Sequence, residues 1–464
     1  MKPEKFLTHS LRASPHGPRV TRILAAAIQA VDPGAAVNRH LQRDGDVLFA
    51  GDRRYPIADF DRVFLIGAGK AGAPMVQAVA QILGDRLTDG VVIVKEGHTG
   101  GTTRIGVVDI LEAGHPLPNP AGVAGTRRMI DLLSRVGARD LVICLISGGG
   151  SALLTQPVPG LNLDDLRTLT GQLLACGATI NEINTLRKHL SLVKGGQLAR
   201  LAAPAAVITL ILSDVVGNPL DVIASGPTVS DPGTFSDAAG ILQKYDLWEK
   251  APPAVRHRLE RGLTGEIPET PKPGDPAFER VQNVLVGSNE QAAESAIEQA
   301  RREGFQTKLL TTSLEGEASE RGKWLAERAR RAALAGQPLG RPACLIAGGE
   351  TTVTLGGSIS EAGRGGRNQE MALAAVRPLA GLPDAALVAL ATDGGDGPTD
   401  AAGAVVTGKT LARAQAARLN PDDFLAHHDS YSFFDALGDL LRPGPTQTNV
   451  NDLAFVFVFQ ERGF

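Results

Sequence analysis

Short apolar, β-branched runs alternate with helically spaced segments along most of the chain. The runs DRVFLIG (61–67), DGVVIV (89–94), DLVICLIS (140–147) and AAVITLILSD (205–214) carry almost no polar interruption. They predict strands of a parallel sheet covered on both faces. Between them, 71–82, 121–133 and 163–174 place apolar residues at helical spacing, which predicts the crossover helices of βαβ units. The pattern breaks over 248–278, where Pro252, Pro253, Pro268, Pro271, Pro273 and Pro276 prevent one continuous element. It resumes with VQNVLVG (281–287), a helix over 290–302, PACLIAGG (342–349), a helix over 368–376 and ALVALATDGG (386–395). Polar and apolar residues alternate in GGETTVTLGGS (348–358), which predicts a hairpin. The expected fold class is α/β with two α/β domains. Residues 1–270 form a doubly wound, Rossmann-like parallel sheet, and residues 271–464 an α/β domain with a mixed sheet.

Composition narrows the chemistry. Lys and Arg number 47 against 50 Asp and Glu, a formal charge of −3, so the basic footprint that nucleic acid requires is missing. Glycine accounts for 54 of 464 residues, about 12% where ~7% is usual, and aromatics for only 4%. Clustered glycine on an aliphatic scaffold suits phosphate binding better than base stacking. Three cysteines without CxxC spacing indicate neither a disulfide framework nor a thiolate zinc site, and fit a reducing cytoplasm. The first twenty residues lack the apolar core of a signal peptide, and no run reaches the ~20 apolar residues of a membrane span. No membrane partner is expected.

Several loops carry candidate chemistry. In VFLIGAGKAG, Gly67, Gly69 and Gly72 form G-x-G-x-x-G between a predicted strand and a predicted helix, and Glu96 ends the next strand. This is the dinucleotide fingerprint, and it makes an NAD(P)-dependent dehydrogenase a serious reading. Lys70 sits inside the turn, where its ammonium would meet an anion at the helix N-terminus, as phosphoryl transfer requires. A tight turn with an exposed lysine is the plain alternative. Ser147, Gly148, Gly149, Gly150 and Ser151 follow another strand and form a second prospective anion cradle on the same sheet edge. Asp214 ends a further strand, the usual place for a metal ligand or base, or simply a turn cap.

Basic residues gather in NEINTLRKHLSLVKGG. Arg187 and Lys194 could clamp a carboxylate or phosphate, Lys188 reads as a solvated face and His189 as structural. Asp221 and Asp231 read as caps. Arg364 and Arg367 flank the glycine turn of GRGGRNQE, another prospective anion site at a helix N-terminus. Asp393, Asp396 and Asp400 in TDGGDGPTD depart from the calcium-loop spacing, which leaves turn duties or a Mg²⁺-associated carboxylate. Asn451 lies in the polar loop TQTNVNDL, suited to polar substrate or to a long turn. His115 in GHPLPN could serve as a dehydrogenase acid, but nothing in sequence pairs it with a carboxylate. SGGGS is not a G-x-S-x-G nucleophile elbow, so a hydrolase is a poor fit. A protein that closes two domains on a metabolite without turnover is a further class.

Taken together and in this order, GAGKAG, GHPLPN, SGGGSALL, RKHLSLVKGGQLA, SDVVGNPLDVIASGPTV, GGETTVTLGG, GRGGRNQE, TDGGDGPTDAAGA and QTNVNDL resemble the class II glycerate kinases. This MOFRL-type family is also catalogued as hydroxypyruvate reductase of tartrate degradation. The resemblance implies ATP- and Mg²⁺-dependent phosphorylation of D-glycerate to 2-phosphoglycerate, in a cleft between two α/β domains. By that analogy Lys70 and Arg367 stabilise the transferred phosphoryl group. The loops Gly67–Gly72 and Ser147–Ser151 hold nucleotide or phosphate, and Asp214 or Asp393 serves metal or base. Arg187, Lys194, Arg364 and Asn451 are the candidate substrate contacts. The implied partners are D-glycerate and ATP, with a homodimer as the assembly to test. NAD(P)H-dependent hydroxypyruvate reduction is the alternative.

Overall fold

The computed structural model describes residues 1–355, 363–382 and 384–460. Two compact units divide the chain, one of residues 33–286 and one of residues 1–32 together with 287–464.

The first unit is built on a seven-stranded sheet in the order Val281–Gly287, Ala206–Leu212, Asp140–Ile146, Arg62–Ala68, Leu87–Lys95, Val108–Ala113 and Arg104–Ile105. From Ala206–Leu212 to Val108–Ala113 every pairing is parallel, and the short edge strand Arg104–Ile105 runs against its neighbour. Asp140–Ile146 and Ala206–Leu212 are buried throughout, as strands covered on both faces must be. The sheet begins at its centre with Arg62–Ala68, winds outward through Leu87–Lys95 and Val108–Ala113, then returns to the other side through Asp140–Ile146. The strand order therefore reverses between Arg62–Ala68 and Asp140–Ile146, and sheets of this kind bind ligands at the carboxyl ends of such a strand pair. Both glycine loops leave from there.

The proline-rich stretch holds a helix, Pro253–Leu263, where a break was expected. Pro253 is its first residue, a position where a missing N–H costs nothing. With Leu163–Ala175, Ile180–His189 and Phe235–Lys244 it encloses a second core around Leu169, Leu186, Phe235 and Leu242.

The second unit carries a six-stranded sheet in the order Gln306–Leu314, Ala343–Gly349, Asp452–Val458, Ala385–Ala391, Gly403–Thr407 and Leu440–Leu441. Its first pair is parallel and the rest antiparallel, so the mixed sheet is as expected. The hairpin expected over 348–358 does not form in 351–355, where only an isolated bridge joins Thr352 to Glu317. Residues 356–358 lie outside the described residues.

Two boundaries differ from expectation. Val281–Gly287 completes the edge of the first sheet, so the first unit runs past residue 270. Met1–Asp32 belongs with the C-terminal segment. Helix Gly17–Ala30 buries Val20, Ile23, Leu24 and Ala27, Arg22 forks onto Glu303 at 2.6 and 2.8 Å, and the Thr448 hydroxyl donates to the Val31 carbonyl at 2.6 Å. An apolar stripe announces burial but not which sheet will cover it. Among the described residues no single helix is long and apolar enough to cross a membrane, and all three cysteines are free.

Candidate functional site

In the first unit the two glycine loops are bonded to each other. Ser147 N–H donates to the Ala68 carbonyl at 3.2 Å and Lys70 N–H to the Gly148 carbonyl at 2.8 Å. Ala71 N–H donates to Ser147 Oγ at 3.1 Å. Gly69 has φ +148°, and a Cβ there would overlap Ser147 Oγ. A Cβ on Gly67 would collide with the Leu145 carbonyl, and one on Gly72 would press on Val92 and Val94 at 2.9 Å. All three glycines are thus required by close packing.

Their expected role as phosphate donors does not follow. Gly69 N–H is spent on the Ile93 carbonyl and Gly72 N–H on the Gly69 carbonyl, while Gly67 lies within a central strand. The open donors belong to the second loop. Among the described residues Gly148 and Gly149 N–H make no hydrogen bond, and Gly149 is left-handed at φ +83°. Successive N–H groups in such a turn form an anion-binding concavity. Gly150 N–H returns to the Ser147 carbonyl and Ser147 is buried, so these two close the loop.

Charged and polar groups surround that concavity. Half-buried Lys70 makes no ion pair among the described residues. Its Cγ lies 3.5 Å, and His115 Nε2 3.2 Å, from where a Gly149 Cβ would stand. Burial, and after it the charges of Lys70, Lys95 and His98, push the His115 imidazole down to about 4. Asp214 occupies the space a Gly148 side chain would need, its Cβ 3.4 Å from that point. The structure thus brings Lys70, Gly148, Gly149 and Asp214 to one place.

Behind the loop, Ser151 Oγ meets Ser225 Oγ at 2.8 Å, and Ser225 Oγ donates to Asn184 Oδ1 at 3.1 Å. Ala224 and Ser225 are both left-handed, at φ 51° and 61°, a strain that persists only where surroundings impose it. Lys194, expected to hold substrate, instead donates from Nζ to the Ser151 and Leu154 carbonyls, both at 2.6 Å. It clamps the loop from below, and burial with the Arg187 charge pushes it down to about 7. Arg187 lies one turn after Asn184 on helix Ile180–His189. Burial lowers its pKa, and it makes no ion pair among the described residues.

Lys188 is a correction. In place of a solvated face it is buried, with Nζ 3.2 Å from Asp231 and 3.4 Å from Asp221. Asp231 also accepts from Thr270 and from Gly233 N–H. His189 is structural as read, bonded to the Thr185 carbonyl and Glu269.

In the second unit Arg367 opens helix Arg367–Ala374. Its guanidinium pairs with Glu350 at 2.7 Å and with Asp452 at 2.5 Å. The helix N-terminus, expected to receive an anion, is closed by the protein's own carboxylate. Asp396 accepts Asn368 N–H at 3.1 Å and Gln369 N–H at 2.8 Å. Asp400 takes the Tyr431 hydroxyl and Arg442. Half-buried Asp393 accepts Gly395 N–H on its carboxylate at 3.0 Å and Thr446 N–H on its carbonyl at 3.2 Å. Arg364 lies exposed over the Tyr431 ring at 4.1 Å. Asn451 is buried at φ 65°, its carbonyl accepting from the Thr392 backbone and hydroxyl.

Comparison with known proteins decides the family. Residues 19–260 match the domain of unknown function DUF4147, and residues 343–452 match the MOFRL family. A glycerate 2-kinase of Pyrococcus horikoshii is 43% identical over 442 residues, 95% of this chain and 97% of that one. The crystal structure of glycerate kinase from Thermotoga maritima superposes with a TM-score of 0.84 at 39% identity, covering 95% of this chain and 98% of that one. The chain belongs to the MOFRL-type glycerate kinase family. A putative hydroxypyruvate reductase of Agrobacterium vitis is 42% identical over 437 residues, covering 94% of this chain and 93% of that one, so the family carries both names.

Sequence reasoning missed three groups of this glycerate kinase fold. Asn184 and Ser225 sit among residues read as helix face and loop, and only the fold joins them to Ser151. Asp452 reads as one of the polar residues of RPGPTQTNVNDL, suited to polar substrate or to a long turn, and its pairing is missed because Arg367 is 85 residues away. The only available signal for Asp452 was an acidic residue opening the apolar run DLAFVFVF.

Proposed function

We propose that this chain is a glycerate 2-kinase, transferring the γ-phosphoryl group of ATP to the 2-hydroxyl of D-glycerate to give 2-phosphoglycerate and ADP. One observation carries the choice of chemistry. The space over Gly69, which a dinucleotide pyrophosphate would need, is taken by Ser147 Oγ. Meanwhile Gly148 N–H, Gly149 N–H and the Lys70 ammonium have no partner among the described residues. Such donors suit a phosphate chain, and transfer of its terminal group requires cations where charge develops.

Lys70 is the cation proposed to stabilise the phosphoryl group, with Arg367 as the second. Arg187, desolvated and unpaired among the described residues, fits the glycerate carboxylate through its planar fork. Arg364 and Asn451 are further proposed substrate contacts, and Lys194 supports the loop. Magnesium fits an oxygen-only donor set of one carboxylate shared with ATP phosphates. Asp214, against Gly148, would hold it, with Asp393 as the alternative ligand. When bound, the ion would neutralise phosphate charge. Among the described residues no cluster of three His, Cys, Asp or Glu could hold a metal by itself, which suits an ion brought with the nucleotide. We place the enzyme in the cytoplasm, where its three free cysteines stay reduced.

The test is a paired assay on purified protein. Glycerate-dependent ADP formation, with 2-phosphoglycerate as product, is the expected result. NAD(P)H oxidation by hydroxypyruvate without ADP formation would overturn the reading in favour of the reductase, the name carried by the Agrobacterium relative.

A further inference from the structure

His115 is used by no step above, yet its ring lies against the open part of the second loop. The Cδ2 and Nε2 edge sits 3.0 and 3.2 Å from the position of a Gly149 Cβ. The absence of a side chain there is what lets ring and loop approach. The imidazole makes no hydrogen bond or ion pair among the described residues. A half-buried polar ring without a partner, beside two backbone N–H groups also without one, is an incomplete coordination shell.

The charges that push its pKa down are basic. Lys70 comes from the glycine turn, Lys95 from the end of Leu87–Lys95 and His98 from the turn beyond. Of the carboxylates on neighbouring strand ends, Glu96 takes the Asn119 amide and Glu112 the Gly97 N–H. Asp214 lies against Gly148. We propose that His115 is a direct ligand of the phosphate chain on the SGGGS loop, donating Nε2–H beside Gly148 and Gly149 N–H, and that it takes up a proton as the anion arrives. This rests on reading that loop as the nucleotide-phosphate site.

The physical argument is a reversal of the local field. Empty, the site keeps the ring neutral, first by burial and then by three neighbouring basic groups. A polyphosphate outweighs them, so the imidazolium becomes favourable and its hydrogen bond charge-assisted. Binding of ATP therefore consumes a proton near neutral pH, and affinity rises as pH falls from 8 to 6.

The experiment follows histidine ring signals of the full chain by NMR over pH, alone, with ATP, with tripolyphosphate and with adenosine. His115→Asn identifies the signal. The midpoint should move from about 4 into the ordinary histidine range with ATP and with tripolyphosphate, and not with adenosine. His115→Asn should weaken ATP about tenfold at pH 6 and less at pH 8. If ATP binds, and Lys70→Ala weakens it, while the His115 midpoint stays put, the proposal is overturned and the loop reading stands. If ATP does not bind, both fall. Should His115→Asn fail to fold, His115→Gln identifies the signal, and the titration of the unaltered chain decides.

Discussion

Ser147 Oγ stands in the space that a side chain on Gly69 would fill, and accepts the Ala71 N–H at 3.1 Å. One serine thus locks the first glycine loop to the second. Gly69→Ala must displace a buried hydroxyl and also adopt φ +148°. Its expected cost is about 2–4 kcal/mol of stability, with turnover lost in step because the second loop shifts. Urea unfolding and the kinase assay on the same preparation check it. A stable, fully active Gly69→Ala would show that the loops are not coupled.

Lys70 separates function from folding. Its ammonium has no protein partner among the described residues, so Lys70→Ala should change stability by less than about 1 kcal/mol. Turnover should fall about 100-fold or more if the cation stabilises developing phosphoryl charge. A thermal melt with the coupled ADP assay reads both. Near-normal turnover would return Lys70 to the role of an exposed turn residue.

Lys188 should behave in the opposite way. Truncation to alanine leaves Asp231, 1% exposed, without its cation, and removing one partner of a buried pair costs about 3–5 kcal/mol. The surviving folded protein should keep its KM for glycerate and ATP, since Lys188 faces Asp221 and Asp231 rather than the open loop. A raised KM at unchanged stability would move Lys188 into the binding site.

These contrasts show what the sequence could convey. Strands buried on both faces, such as Asp140–Ile146, are legible because burial excludes polar residues along their whole length. Val108–Ala113 is not, because half-buried Asp109 and exposed Glu112 interrupt its apolar run. The antiparallel sheet of Leu41–Asp44, Val47–Ala50 and Arg53–Pro56 is equally hidden, two of its strands being polar and mostly exposed. Gly67, Gly69 and Gly72 stood out for a sound reason, the need for backbone without Cβ, but three close contacts within the protein create that need. Lys188 and Arg367 were seen as charges without their partners. Asp231 lies 43 residues from one and Asp452 85 residues from the other, and spacing along a chain carries no sign of such pairings.

Arg367 supplies the prediction with a pH sign. Its guanidinium joins half-exposed Glu350 and buried Asp452, so the two carboxylates should respond differently. Glu350→Gln should cost under about 1 kcal/mol, as exposed pairs do. Arg367→Ala strands Asp452 and should cost about 3–5 kcal/mol at pH 8. Burial already pushes Asp452 up to about 7 against the pull of Arg367. A carboxyl whose pKa is raised on folding stabilises the fold fully below the ordinary carboxylate range and loses that contribution as pH rises through about 7. Without Arg367 the carboxyl holds its proton to still higher pH, and a protonated Asp452 needs no cation. The penalty of Arg367→Ala should therefore be smaller at pH 5 than at pH 8, measured by urea unfolding of both proteins at both pH values. An equal penalty at both would mean that Asp452 does not change its protonation between the two pH values.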